Sequence, residues 1–254
     1  MEKNCICLIC HKPNKIYLDF LNTITEYDVV VIIDDENEQY YKNNKEYYDT
    51  NYPKIIIAQF HFINCIENGF QSSSITLNKM VSGWDKAMFF YFLLYNDKLS
   101  IKTKYNHVWF IEDDVFFYDE NVLRNIDKQY PNSDLLSNTF ETKNADENWL
   151  WNALNINFDE PYFNTMVCAC RMSRTLLFHI FDYATKYKEL FFLEVMFPTI
   201  AMKNNLICDF PNELKTIQYN KYHWKYHQFN KTNIFHPIKN IELHKLLREG
   251  LYEK

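Results

Sequence analysis

Glycine is scarce here, with three residues in a chain of 254. That scarcity excludes a glycine-rich phosphate cradle, because such loops need several positions with positive φ or bare backbone. Any phosphate-bearing ligand would have to be gripped by side chains. Long apolar runs are missing as well. No stretch reaches the roughly 18 uninterrupted apolar residues of a membrane-spanning helix. The opening residues, MEKNCICLIC, lack a basic region followed by a long apolar run and a cleavage site. Excess positive charge is the third absence: 27 Lys and Arg against 33 Asp and Glu leave a net charge of −6. A mildly acidic chain is a poor general nucleic-acid binder, since backbone phosphates demand a positive field. The expectation is a cytoplasmic protein with no membrane span and no nucleic-acid partner.

What the chain does have is apolar bulk. It is 47% hydrophobic, enough for one domain over residues 1–254 with an ample core, and no repeat or linker divides it. The heavy use of Asn, Lys, Ile and Tyr reads as an AT-rich coding bias. Seven cysteines fall at 5, 7, 10, 65, 168, 170 and 208. Cys5, Cys7 and Cys10 sit in an apolar run, where free thiols behave as small hydrophobes. A zinc site there would need a fourth ligand such as His11 and a loop in place of a strand. Cys168 and Cys170, in MVCACRMS, read as core packing too.

Four β-rich apolar runs mark the first half: CICLIC (5–10), DVVVIIDD (28–35), KIIIAQF (54–60) and HVWFIEDD (107–114). Runs this continuously apolar predict strands covered on both faces, as in a parallel sheet beneath helices. Helical spacing fills the gaps. Ile16, Phe20, Leu21 and Ile24 share one face of 14–25, and Trp84, Ala87, Met88, Tyr91, Leu94 and Tyr95 share one face of 82–97. Alternation of this kind predicts an α/β fold with right-handed crossovers. The polar stretch 36–53 reads as an exposed loop. In the second half, 134–140 and 163–173 read as strands, 173–189 and 194–205 as helices, and 219–240 as an aromatic, basic loop.

Acidic residues close two of the strands. DVVVIIDD ends in Asp34 and Asp35; HVWFIEDD ends in Glu112, Asp113 and Asp114. Ligands of open α/β sheets collect at the carboxyl ends of strands. Strand alternation would turn Glu112 and Asp114 to one side and Asp113 to the other, a pair of oxygens suited to Mn²⁺ or Mg²⁺. The plainer alternative is a solvent-exposed strand end whose aspartates cap a turn.

With these residues in view, the chain resembles the nucleotide-sugar glycosyltransferases of the GT-A fold. Those enzymes carry a D-x-D type motif after an apolar strand, and E-D-D variants such as Glu112-Asp113-Asp114 occur among them. A first strand near residue 5, an Asp pair after the second strand and a Glu at a late helix start follow in the same order, over about residues 4–240. The resemblance implies a mostly parallel central sheet, with a nucleotide-binding half of about 1–115 and an acceptor half of about 116–254.

It also implies a UDP-sugar donor and a glycan or protein acceptor. Asp114 would chelate the metal, Glu112 would contact ribose or metal-bound water, and Asp113 would reach the donor sugar. Asp34 or Asp35 would hold base or ribose, with Lys79, Trp84 and Lys86 near base or phosphates. His236 and Lys239, in NIFHPIKN, would serve as a late metal ligand and a diphosphate contact. Glu194 would be the base of an inverting transfer, with Asp182 and Glu189 as rivals. Arg171 and Arg174 read as structural ion-pair residues. The motif begins with Glu, and no residue pattern identifies the donor. A nucleotidyltransferase making nucleotide-sugars is the competing class, although CHKPNK (10–15) lacks the glycine its phosphate loop would need. A non-catalytic binding module is the third.

Overall fold

The computed structural model describes residues 3–73, 79–99, 105–142, 157, 159–219 and 221–251, with the side chains of Ser73 and Lys79 outside that description. In chain order come β1 (Cys5–Cys10), α1 (Lys15–Leu21), β2 (Asp28–Ile33), α2 (Tyr40–Asn51), β3 (Ile55–Gln59), α3 (Phe62–Glu67), β4 (Ser72–Ser73) and β5 (Lys79–Met80). Next are α4 (Gly83–Tyr95), β6 (His107–Glu112), α5 (Glu120–Gln129), β7 (Leu135–Leu136), β8 (Glu141–Thr142) and β9 (Phe163–Asn164). The last are β10 (Ala169–Ser173), α6 (Arg174–Tyr187), α7 (Leu193–Lys203), β11 (Cys208–Asp209) and α8 (Ile241–Glu249).

One seven-stranded sheet takes strands from both halves, in the order β11-β7-β10-β6-β1-β2-β3. β10 runs antiparallel to β6 and β7, while the other pairings are parallel. The α/β class and the mostly parallel sheet flanked by helices are as the sequence led us to expect.

Alternation along β1 explains why an all-apolar strand is needed. Cys5, Cys7 and Ile9 join a core beneath α4, α6 and α7, while Ile6, Leu8 and Cys10 join a second core with Tyr17, Leu21, Tyr48 and Leu123. Both faces are therefore covered. The same alternation sets Cys10 on the opposite face from Cys5 and Cys7, so the three share no metal, and all seven cysteines are free.

Several expectations need correcting. The polar stretch 36–53 holds the helix α2. Its apolar stripe is made of tyrosines: the Tyr40 and Tyr48 hydroxyls lie 3.1 Å apart, and Tyr52 donates to Asp19 at 2.9 Å. The buried face of α1 is Tyr17, Leu18 and Leu21, one position away from the Ile16 and Phe20 face. Of 134–140 only Leu135–Leu136 is strand, and 163–173 splits into β9 and β10.

β1 lies between β2 and β6, so crossovers leave it toward opposite sides of the sheet. That reversal opens a crevice beyond the carboxyl ends of these strands. The start of α4 closes against it. Ser82 and Asp85 form a reciprocal capping box there, and burial pushes the Asp85 carboxyl up to about 6. Gly83 is required by contact: an added Cβ would stand 2.6 Å from Ile9 Cγ2 and 3.1 Å from Asp34 Cβ.

Candidate functional site

Three strand ends meet at the crevice. β1 delivers His11 and Lys12, β2 delivers Asp34 and Asp35, and β6 delivers Glu112, Asp113 and Asp114. The carboxylates can follow an apolar run because β6 stops at Glu112. A turn closed by the Val115 amide on the Glu112 carbonyl, at 3.1 Å, carries Asp113 and Asp114 off the sheet edge. Val115, Phe116 and Phe117 then return to full burial. Because the turn replaces the strand, simple alternation ends at Glu112. Asp113 and Asp114 line one cleft together, with Lys12 and Lys239, in a volume of about 380 Å³. Burial, and then the charges of Asp114 and Glu112, raise the Asp113 pKa.

His236 is where the acidic edge and the C-terminal segment meet. The imidazole is buried, with Nδ1 2.6 Å from the Gln218 carbonyl, so Nδ1–H donates there and Nε2 faces Asp114 Oδ1 at 3.2 Å. The two atoms stand at ion-pair distance, and Asp114 Oδ1 is buried with no other partner among the described residues. Burial works against the imidazolium, yet the Asp114 carboxylate and the Gln218 carbonyl outweigh it, and the His236 pKa is raised.

Glu112 approaches from the other side. Ligand atoms of Glu112, His236 and Cys168 lie within 4.8 Å of one another. Trp84 Nε1 donates to Glu112 Oε1 at 2.7 Å and fixes that carboxylate. Burial and then the neighbouring carboxylates push the Cys168 thiol far up, and its soft sulfur suits a hard cation less well than oxygen or imidazole does. The oxygen and imidazole donors that remain, with an orphaned buried carboxylate oxygen on Asp114, fit Mn²⁺ or Mg²⁺.

Glu194 belongs to the same neighbourhood. Burial and then the Glu112 charge push its carboxyl up to about 7, with His236 pulling the other way. Its backbone is held by an unusual device. Pro198, four residues on in α7, has no N–H to give the Glu194 carbonyl, and the Thr165 amide donates to it at 2.9 Å instead. Thr199 Oγ1 accepts from the Phe163 amide at 3.0 Å, fastening β9 along the same helix. Asp182 is exposed on α6, and Glu189 accepts from Asn157.

The second acidic edge lines a larger cleft of about 790 Å³, with Asp34, Asp35 and Glu38 on one wall and Phe62, Ile66 and Met80 on another. Lys86 is buried here and pairs with Asp34 Oδ1 at 2.6 Å. Asp35 pairs with Lys12 at 2.7 Å and accepts from the Asn37 amide at 2.6 Å. Trp84 is buried against the Phe110 and Phe197 rings, so its ring is committed to packing and its N–H to Glu112. Lys79 has its backbone in β5, opposite Ser73, and its side chain lies outside the described residues. The structure therefore gathers Glu112, Asp114, His236 and Glu194 into one group and Asp34, Asp35 and Lys86 into another.

Sequence reasoning missed Lys12, His11 (weighed only as a zinc ligand) and Cys168 at this crevice. The first two could have been found by the rule that exposed Asp34 and Glu112, because they too follow a strand directly. Cys168, taken as core, stands at the crevice because β10 is reversed. Arg171 and Arg174 are structural: Arg171 pairs with Asp127 at 2.7 Å, and Arg174 donates to the Tyr105 carbonyl at 2.9 Å.

No known family profile matches the chain, and no curated protein sequence does. Among solved structures it is similar to the apo form of mouse xyloside xylosyltransferase 1, at 9% identity and a TM-score of 0.48, over 95% of this chain and 99% of that one. It is also similar to 4-diphosphocytidyl-2C-methyl-D-erythritol synthase from Anaerococcus prevotii, at 10% identity and a TM-score of 0.47, over 97% and 96%. Among the described residues no helix is long and apolar enough to cross a membrane.

Proposed function

We propose that the chain is a metal-dependent glycosyltransferase moving a sugar from a UDP-sugar to a hydroxyl of a glycan or protein, with inversion. The observation that carries this reading is the approach of Glu112 and Asp114, from one strand end, to the buried His236, beside a carboxyl whose pKa is about 7. Glu112, Asp114 and His236 would hold Mn²⁺ or Mg²⁺. Such an ion supplies positive charge against a diphosphate leaving group.

The remaining roles follow from what each side chain touches. Glu194 accepts the acceptor proton, since a base works best with a pKa near the operating pH. Lys12 and Lys239, lining the cleft beside Asp113 and Asp114, counter the phosphates. Asp113 hydrogen-bonds the donor sugar. Asp34 and Asp35 hold the base and ribose in the larger cleft, with Lys86 fixing Asp34. Lys79 keeps the phosphate or base contact implied by its place before α4. Trp84 acts through Glu112 and does not stack on the base.

The test is a thermal-shift panel of UDP, GDP, CDP and ADP, each with and without Mn²⁺, on the wild type and Asp114→Ala. A ligand at about 100 times its Kd adds about 2.7 kcal/mol to native stability. The expected result is a Mn²⁺-dependent shift with UDP that Asp114→Ala loses. No metal-dependent shift with any nucleotide would sink the reading in favour of a binding module. A metal-dependent shift with CTP or UTP, run beside the panel, together with pyrophosphate release when a sugar phosphate is added, would favour the nucleotidyltransferase class.

A further inference from the structure

Between Leu214 and Ile241 the sequence carries five lysines, at 215, 221, 225, 231 and 239, and no aspartate or glutamate. This stands out in a chain with 33 carboxylates in 254 residues and a net charge of −6. All five lysines are exposed, as are His223 and His227. Among the described residues, none of the five forms an ion pair. Among the described residues nothing spends their charge.

The segment is fastened to the site. Trp224 Nε1 donates to the His236 carbonyl at 3.0 Å, and the Gln218 amide donates to the same oxygen at 3.0 Å. The Trp224 ring lies 5.1 Å from Phe235 and 4.5 Å from Tyr222. Lys221 and Lys225 therefore flank a residue anchored on the main chain of His236. Interleaved with them, Tyr219, Tyr222 and Tyr226 leave 63%, 40% and 37% of their surface open, which presents flat apolar faces among cations.

We propose that this strip binds the acceptor, and that the acceptor is a short saccharide carrying phosphate, sulfate or carboxylate groups. The inference rests on the glycosyltransferase reading above and deepens it by naming the acceptor class. Lysines without partners attract anions and steer their approach. Open tyrosine rings offer the apolar faces on which the C–H side of a pyranose lies. A long polyanion fits less well, because it would run from the lysines onto Glu112, Asp113 and Asp114 and an acidic remainder.

The test is calorimetric binding of the full chain to four probes: a heparin tetrasaccharide, tetragalacturonic acid, neutral maltotetraose and a thymidine dodecanucleotide. The variant is Lys221→Ala/Lys225→Ala/Lys231→Ala, whose exposed positions leave folding intact, as an unchanged melting temperature would verify. We expect one or both acidic saccharides to bind, with the stronger naming the anionic group. Binding should weaken by about tenfold or more in the triple variant and fall further from about 50 to about 300 mM NaCl. Equal binding of maltotetraose, or indifference to the triple substitution, overturns the proposal. Tighter binding of the oligonucleotide overturns it too and makes the strip a nucleic-acid surface. The Mn²⁺-dependent nucleotide shift, read on the same samples, separates the two readings. If it persists while saccharide binding is absent, only the acceptor inference falls. If it is absent while saccharide binding persists, the donor reading falls, and the strip is a carbohydrate-binding face without an acceptor role.

Discussion

Two half-buried carboxylates at opposite ends of β6 live in contrasting surroundings. Asp127, near the amino end, accepts from Trp109 Nε1 at 3.0 Å, Tyr27 at 2.7 Å and Asn4 at 3.0 Å, and pairs with Arg171 at 2.7 Å. Asp114, past the carboxyl end, has one oxygen buried without a hydrogen bond and two other carboxyl residues directly before it in sequence. Folding completes the first group and leaves the second incomplete. A buried charge that the fold satisfies is structural, and one that it leaves open is arranged for something else. The histidines divide the same way: His236 faces Asp114, whereas His244 is enclosed by the Tyr17 and Phe116 rings.

The sharpest way to break the contrast is to alter each side in turn. Glu194→Gln should cut transfer by about 10² to 10⁴ while leaving the Mn²⁺-dependent nucleotide shift in place, because general-base assistance is worth that much. A single-turnover assay with the donor named by thermal shift reads it, and undiminished transfer would remove Glu194 from the chemistry. On the structural side, Arg171→Met should lower stability by about 3–5 kcal/mol, since breaking a buried pair strands the partner charge. The Tyr130 and Ser133 carbonyls would lose their guanidinium donor as well. Urea unfolding measures this, and a loss under about 1 kcal/mol would mean that the Asp127 network is held by its neutral donors.

Much of this architecture was legible because β1, β2, β3 and β6 are each a near-continuous apolar run, which few other structures tolerate. The helices α4, α6 and α7 were legible from spacing. α2 was not, because tyrosines serve both as its apolar stripe and as hydrogen-bonding groups, so its sequence reads as polar. Two-residue strands such as β7 and β11 carry no periodicity at all. In the site, Asp34, Glu112 and Asp114 could be found because acidic residues after apolar strands contradict their surroundings. Cys168 could not be placed, because nothing local announces that β10 runs backwards. His236 was singled out only through the resemblance to glycosyltransferases with a late metal-binding histidine, whereas its hold on the Gln218 carbonyl is purely tertiary.

The paired histidines give a smaller, pH-dependent effect. Burial, opposed by the hydrogen bond to the Ile238 carbonyl and aided by the Arg248 charge, lowers the His244 pKa from 6.5 to about 4. Above pH 6.5 the ring is neutral in both folded and unfolded chains, so it adds no pH dependence. As pH falls toward 4 the unfolded chain binds a proton that the folded chain refuses. Stability must therefore drop across that window, by up to about 3 kcal/mol at 1.36 kcal/mol per pH unit. His244→Gln keeps a donor for the Ile238 carbonyl, now met by Nε2 at 2.7 Å. Urea titrations at about pH 7.5 and 4.5 should show a shallower acid loss in the variant. Equal slopes would mean that His244 is reached by protons in the native state.

The smallest expected effect tests the contrast most directly. If the fold truly leaves Asp114 open, Asp114→Asn removes a negative charge that nothing in the protein fully compensates. The variant should then hold its metal-free stability within about 1 kcal/mol of wild type, or gain slightly, against the 3–5 kcal/mol expected of Arg171→Met. The loss of the His236 contact at 3.2 Å works the other way, and with the Asp114 side chain still 22% exposed that term stays at about 1 kcal/mol or less. Unfolding in chelator-treated buffer isolates the term. A loss as large as that of Arg171→Met would show that Asp114 is held by the fold as firmly as Asp127, and would withdraw the main physical reason for giving it a ligand.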